Sequence, residues 1–106
     1  MADLTGALLE CGVSVSALRG ENVLGDRHVI QPFDGGMLVA VIDGLGHGEE
    51  AAAAASQAAR VVESRARESV MNIVRACHDA VRPTRGVVMS VASFSAADQT
   101  MVWTGV

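Results

Sequence analysis

The sequence contains no lysine and no tyrosine, and its aromatic residues are one tryptophan and two phenylalanines. Its eight basic residues are therefore all arginine; none forms a run, and the net charge is −4. Nucleic acid is not expected as a partner, because a phosphate backbone is met by a clustered basic face. Without lysine there is no Gly-Lys-Ser/Thr phosphate loop. The two cysteines, Cys11 and Cys77, form no C-x-x-C pair and have no histidine at zinc-ligand spacing. They read as buried, reduced thiols of a cytoplasmic protein. No basic stretch followed by an apolar segment opens the chain, and no apolar run is long enough to cross a bilayer. A cytoplasmic location and no membrane partner are therefore expected.

What is present fits one domain. The chain has 106 residues, half of them hydrophobic, enough for one packed core. Val13, Val15 and Ala17 alternate with serines, the period of a strand, and Arg19–Asn22 around Gly20 reads as a turn. Arg27–Phe33 is a second strand, closed by Pro32 and the turn Asp34-Gly35-Gly36. The unbroken apolar run Met37–Ile42 predicts a strand buried on both faces. Glu49 to about Ala66 is an alanine-rich helix with acidic residues first and arginines near its end, as the helix dipole favours. Glu68–Val81 carries Val70, Ile73, Val74, Cys77 and Val81 at the spacing of one helix face, and Pro83 closes it. Strands return at Val87–Phe94 and Thr100–Thr104 around the turn 96–99. The expected order is β-β-β-α-α-β-β, an α+β fold with the helices on one face of an antiparallel sheet. Arg60, Arg65, Arg67 and Arg75 are expected on a solvated face, and Met71, Met89 and Met101 as core filler. The chain stops at Val106 inside an apolar strand, so residues 1–106 read as one partial domain.

The chemistry concentrates in Asp43-Gly44-Leu45-Gly46-His47-Gly48. A buried strand delivers a carboxylate, three glycines follow, and a helix begins. That arrangement suits a hard cation: Asp43 supplies charged oxygens and the glycines let backbone carbonyls approach. A helix N-terminus behind the loop favours an anion such as phosphate. The same glycines also suit a plain strand-to-helix turn. A dinucleotide loop would need glycine where Glu49 stands, and the pair Glu49-Glu50 repels a pyrophosphate. A second carboxylate, in Gly25-Asp26, meets Asp43 if the hairpin at Asp34-Gly35-Gly36 makes their strands neighbours. Two aspartates there repel unless a cation lies between them. Taken alone, Gly25-Asp26 is a common turn dipeptide.

The run Val39-Ala40-Val41-Ile42-Asp43-Gly44-Leu45-Gly46-His47-Gly48 resembles the D-G-x-G-x-G metal motif of bacterial type 2C metal-dependent serine/threonine protein phosphatases. Gly25-Asp26, Arg85-Gly86 and Gly105-Val106 resemble matching points of the RsbX-like (SpoIIE-type) branch, and the resemblance reaches over nearly the whole chain. It implies a β-sandwich flanked by helices and two Mn²⁺ or Mg²⁺ ions. Asp43 would bridge the ions, Gly44 would offer its carbonyl, and Asp26 would bind directly or through water. The implied activity is hydrolysis of phosphoserine or phosphothreonine on a protein of a bacterial stress-signalling complex, the stressosome or an anti-sigma pathway. The family's remaining metal aspartates belong to a second half that this sequence does not contain, and Asp98, in a polar turn, is a poor substitute. A catalytically incomplete phosphatase-like module that binds a signalling partner without turnover is therefore the second reading.

The remaining candidates are single residues. His47 is a possible general acid, since histidine titrates near neutrality; a solvent-facing residue at a helix start reads equally well. His28 and His78 read as structural or exposed. Arg19, Arg27 and Arg85 are the candidates for a substrate phosphate, because guanidinium grips phosphate bidentately.

Overall fold

A computed structural model of the chain describes residues 2–3, 10–11, 25–46 and 48–106. The alternating segment at 13–17, the turn at 19–22, Arg19 and His47 lie outside the described residues. Two short strands, β1 (Ala2–Asp3) and β2 (Glu10–Cys11), pair antiparallel and were not expected. The main sheet holds β3 (Asp26–Phe33), β4 (Gly36–Gly44), β5 (Val87–Ser95) and β6 (Thr100–Gly105), in that spatial order and all antiparallel. Helices α1 (Gly48–Ser64) and α2 (Val70–Ala80) form the connection from β4 to β5.

The hairpin β3–β4 turns on Asp34-Gly35, with Gly35 at φ +80°, a conformation that glycine adopts without a Cβ penalty. Pro32 lies within β3 instead of ending it. It is tolerated because β3 is the edge of the sheet, where a missing N–H breaks no ladder. Helix α2 begins two residues later than the periodicity suggests. The Ser69 hydroxyl accepts a hydrogen bond from the Asn72 N–H (3.2 Å), so Ser69 is the N-cap and Glu68 stays outside, paired with Arg65. Helix α1 stops at Ser64, which leaves Arg65 and Arg67 beyond its last turn and no basic residue within it.

Both helices cover one face of the sheet. Val29, Leu38, Ala40, Ile42, Met89 and Val91 meet the alanine face of α1 and Val70, Ile73 and Cys77 of α2 in one core. Alternation along β4 sends Leu38, Ala40 and Ile42 to the helices and Val39, Val41 and Asp43 to the other face. On that second face Met37 is buried and Val39 half-buried, but toward Asp43 the apolar run is not buried on both sides: Val41 is 60% exposed, and so is Trp103 of β6. Of the three methionines expected in the core, Met89 is buried, but Met71 and Met101 face solvent. Met71 points away from the helix stripe, and Met101 lies on the edge strand beside Trp103. Arg60, Arg65, Arg67 and Arg75 are exposed, as expected.

Cys77 is buried and reduced, its thiol 3.6 Å from the Ala58 carbonyl oxygen. Burial pushes its pKa up to about 11, against a smaller opposing pull from Arg65. No described helix is long and apolar enough to cross a membrane.

Candidate metal centre

The register of β3 on β4 places Asp26 directly opposite Asp43. The hairpin that joins the two strands thus delivers both carboxylates to one end of the sheet, where β4 runs out into the glycine loop. Side chains directly opposite in an antiparallel pair are within contact distance. The Asp43 carboxyl is held above its usual range, first by a side-chain hydrogen bond with Asp26, then by desolvation, then by the Asp26 charge. Two carboxyls set this close, with their charges unfavourable to one another, are a donor set suited to a cation. The chemistry fits a hard divalent ion, which takes charged oxygens and would offset the repulsion between the two carboxylates. Among the described residues no third histidine, cysteine, aspartate or glutamate joins the pair. Asp98 is at the far end of the sheet, in the β5–β6 turn, where it takes a hydrogen bond from the Ser95 hydroxyl (3.3 Å).

The glycines hold this end of the sheet together. The Gly44 N–H donates to the Gly25 carbonyl (2.7 Å), and the Leu45 N–H donates to the Gly86 carbonyl (2.9 Å). These bonds tie the segment before β3, the loop after β4 and the loop before β5 into one platform. Gly44 has a further reason to be glycine: a Cβ there would fall on the Ala51 carbonyl of α1. From sequence the glycines read as exposing carbonyls to a metal or as a strand-to-helix turn. The contact with α1 was not visible, because no local pattern reveals how closely a helix approaches a strand. Gly46, at φ +95°, supplies the left-handed turn from strand to helix.

The remaining candidates separate. Arg27 opposes Ile42 in the register, so alternation puts it on the helix side of the sheet, away from the Asp43 face; its guanidinium donates to the Asp26 carbonyl (2.9 Å). Arg85 lies at the carboxylate end, its Nε 3.5 Å from Glu50 Oε1 across the glycine loop. His28 and His78 are exposed. Sequence reasoning missed Glu50. An acidic residue in the first turn of a helix is ordinary dipole chemistry and carries no mark of a tertiary contact.

A strand-end aspartate pair beside a glycine loop, on an antiparallel sheet backed by two helices, is an arrangement suited to a hard cation. Comparison with known proteins agrees. The chain is 32% identical over 72 residues to the phosphoserine phosphatase RsbX of Bacillus subtilis (strain 168), a match covering 68% of this chain and 36% of that protein. It superposes on the crystal structure of RsbX in complex with magnesium with a TM-score of 0.78 at 28% identity, over 82% of this chain and 44% of the other. A second solved structure, from work on the bacterial stressosome as a modular system adapted to control secondary messenger signalling, matches with a TM-score of 0.69 at 38% identity, over 72% of this chain and 40% of that one. No protein-family model matches the chain. The chain is homologous to RsbX over the matched stretch, in sequence and in fold. It spans less than half the length of each of these relatives.

Proposed function

We propose that the chain supplies the Asp26–Asp43 part of the metal centre of a phosphatase acting on phosphoserine or phosphothreonine of a bacterial stress-signalling protein. The observation that carries this reading is the register that sets Asp26 opposite Asp43 beside the glycine loop. Asp43, the Gly44 carbonyl and Asp26 are the residues of this chain that would hold the divalent metal. Magnesium is supported by the ion in the RsbX crystal structure, and manganese serves the same oxygen donors. Ions held there would polarise the phosphoryl group and activate a water for in-line attack. The chain's own residues bind and orient: Asp26 and Asp43 provide negative charge, and Arg85 holds a phosphoryl oxygen at the mouth of the loop. Arg19, Arg27 and His47 keep lesser claims to phosphate binding and proton transfer. The open sheet face, with Val41 and Trp103, is the inner face of the β-sandwich that completes the domain, and residues 1–106 form part of that single domain. The setting is cytoplasmic, and the partner is a stressosome or anti-sigma pathway protein, supported by the second structural match.

The test is a chimera in which this chain replaces the matching part of RsbX, assayed on a phosphoserine peptide with Mg²⁺ or Mn²⁺. Metal-dependent hydrolysis that disappears with Asp43→Asn supports the reading. Hydrolysis that survives Asp43→Asn at saturating metal sinks it.

A further inference from the structure

One charged contact at the mouth of the glycine loop is not used by the aspartate pair. Arg85 sits on a braced segment. The Thr84 hydroxyl donates to the Val81 carbonyl (2.6 Å) and accepts from the Gly86 N–H (2.9 Å), while the Gly86 carbonyl accepts from the Leu45 N–H (2.9 Å). From that base the Arg85 side chain crosses the loop. A Cβ on Gly46 would lie 3.6 Å from Arg85 Cδ and 3.9 Å from its Nη1, ordinary contact distances that place the side chain directly over Gly46. The side chain ends against the first turn of α1, where its Nε meets Glu50 Oε1 at 3.5 Å. Among the described residues Glu50 is the one ion-pair partner of this guanidinium. The guanidinium thus carries a carboxylate where the phosphoryl group of the proposed reaction would arrive.

We propose that Glu50 is an internal competitor for Arg85: it occupies the guanidinium when no phosphate is bound, and so sets how tightly the site holds the phosphoryl group. This rests on the reading of Arg85 as a phosphate-binding residue. The pair is exposed, with side chains 69% and 59% accessible, and an exposed pair at this distance is weak. A phosphate dianion offers more charge and a pair of oxygens that match the guanidinium fork. It therefore displaces Glu50, but each binding event must first break the resident contact and then tolerate the Glu50 charge nearby. The consequence is a lowered affinity for phosphate, which favours release of the product.

The test is inorganic phosphate titrated into the whole chain without divalent metal, followed by NMR at the Arg85 Nε–H and the Leu45 and Gly46 amides. Wild-type protein shows weak, localised shifts. Glu50→Gln binds about two- to fivefold more tightly, the range expected on removing an exposed charge partner. Glu49→Gln makes the same charge change in the same helix turn without this contact and leaves the affinity as it was. Arg85→Gln loses the localised shifts. The proposal is overturned if wild type shows no shifts at the loop, if binding survives Arg85→Gln, or if Glu49→Gln tightens binding as much as Glu50→Gln. The last result would mean that net charge near the helix start, not the contact, sets the affinity. The probe carries no metal, so failure here leaves the aspartate pair untouched. Loss of the aspartate reading in the chimera would leave this result standing in turn.

Discussion

Replacing Gly44 by alanine tests the packing that carries Asp43 into place. The added Cβ would clash severely with the Ala51 carbonyl oxygen and lie 2.7 Å from its carbon and 3.0 Å from its Cα, all backbone atoms that no rotamer change can move. Ordinary carbon contacts need about 3.5 Å or more. Relief therefore requires α1 to back away from the sheet. That helix buries Ala51, Ala52, Ala54, Ala55, Ala58, Ala59 and Val62, so a shift opens gaps along the whole face. Overpacking a core costs about 1–3 kcal/mol, and an obstacle made of backbone belongs at the top of that range, about 3 kcal/mol. Gly35→Ala is the control. Gly35 has nothing within contact of a Cβ and differs only in its positive φ of 80°, a cost of about 1 kcal/mol. Urea unfolding of both variants, with the slope checked for constancy, gives the difference. A Gly44→Ala protein no less stable than Gly35→Ala would refute the argument.

Other consequences follow from the same structure. The carboxyl of Asp43 binds its proton more tightly folded than unfolded, so its contribution to stability is fully present below the unfolded pKa and is lost as pH rises through the folded one. Melting temperature against pH should therefore show Asp26→Asn stabilising the metal-free chain at neutral pH, with the gain fading toward acid; a constant offset at all pH values would contradict this. In a Cys11→Ser background Cys77 should react with a thiol reagent only on unfolding, since it is buried with a pKa of about 11; fast labelling of folded protein would contradict its placement. The uncovered sheet face should drive self-association, read as a concentration-dependent blue shift of Trp103 emission; a spectrum independent of concentration would show that the face stays solvated. Residues 1–106 alone, with Mn²⁺, should not turn over a phosphoserine peptide, because the described residues offer two carboxylates where a two-ion centre needs more; turnover like that of the chimera would contradict this.

Much of the site was legible in the residues. The dipeptide Asp34-Gly35 announces a tight hairpin, and a tight hairpin fixes register, so the meeting of Asp26 with Asp43 followed from turn chemistry and counting. The element order from β3 onward was legible for similar reasons, since periods of 2 and 3.6 are local properties. What was not legible depends on what lies across from a residue. Periodicity reports that Val41 and Met101 are apolar, not whether a layer covers them. Met71 could not be told from Met89 by residue type. The Glu50–Arg85 contact joins residues far apart in sequence, and nothing in the composition of either segment marks it.

The proposed function requires that Asp26 and Asp43 together hold a divalent cation. Its most direct measurement is a Mn²⁺ titration of the chain followed by paramagnetic broadening of backbone amides, with Mg²⁺ as the diamagnetic competitor. Early broadening is expected at Gly25–Asp26 and Asp43–Gly46, reversed by Mg²⁺ and absent in Asp43→Asn. Broadening that is spread over the exposed carboxylates, or that persists unchanged in Asp43→Asn, would contradict it.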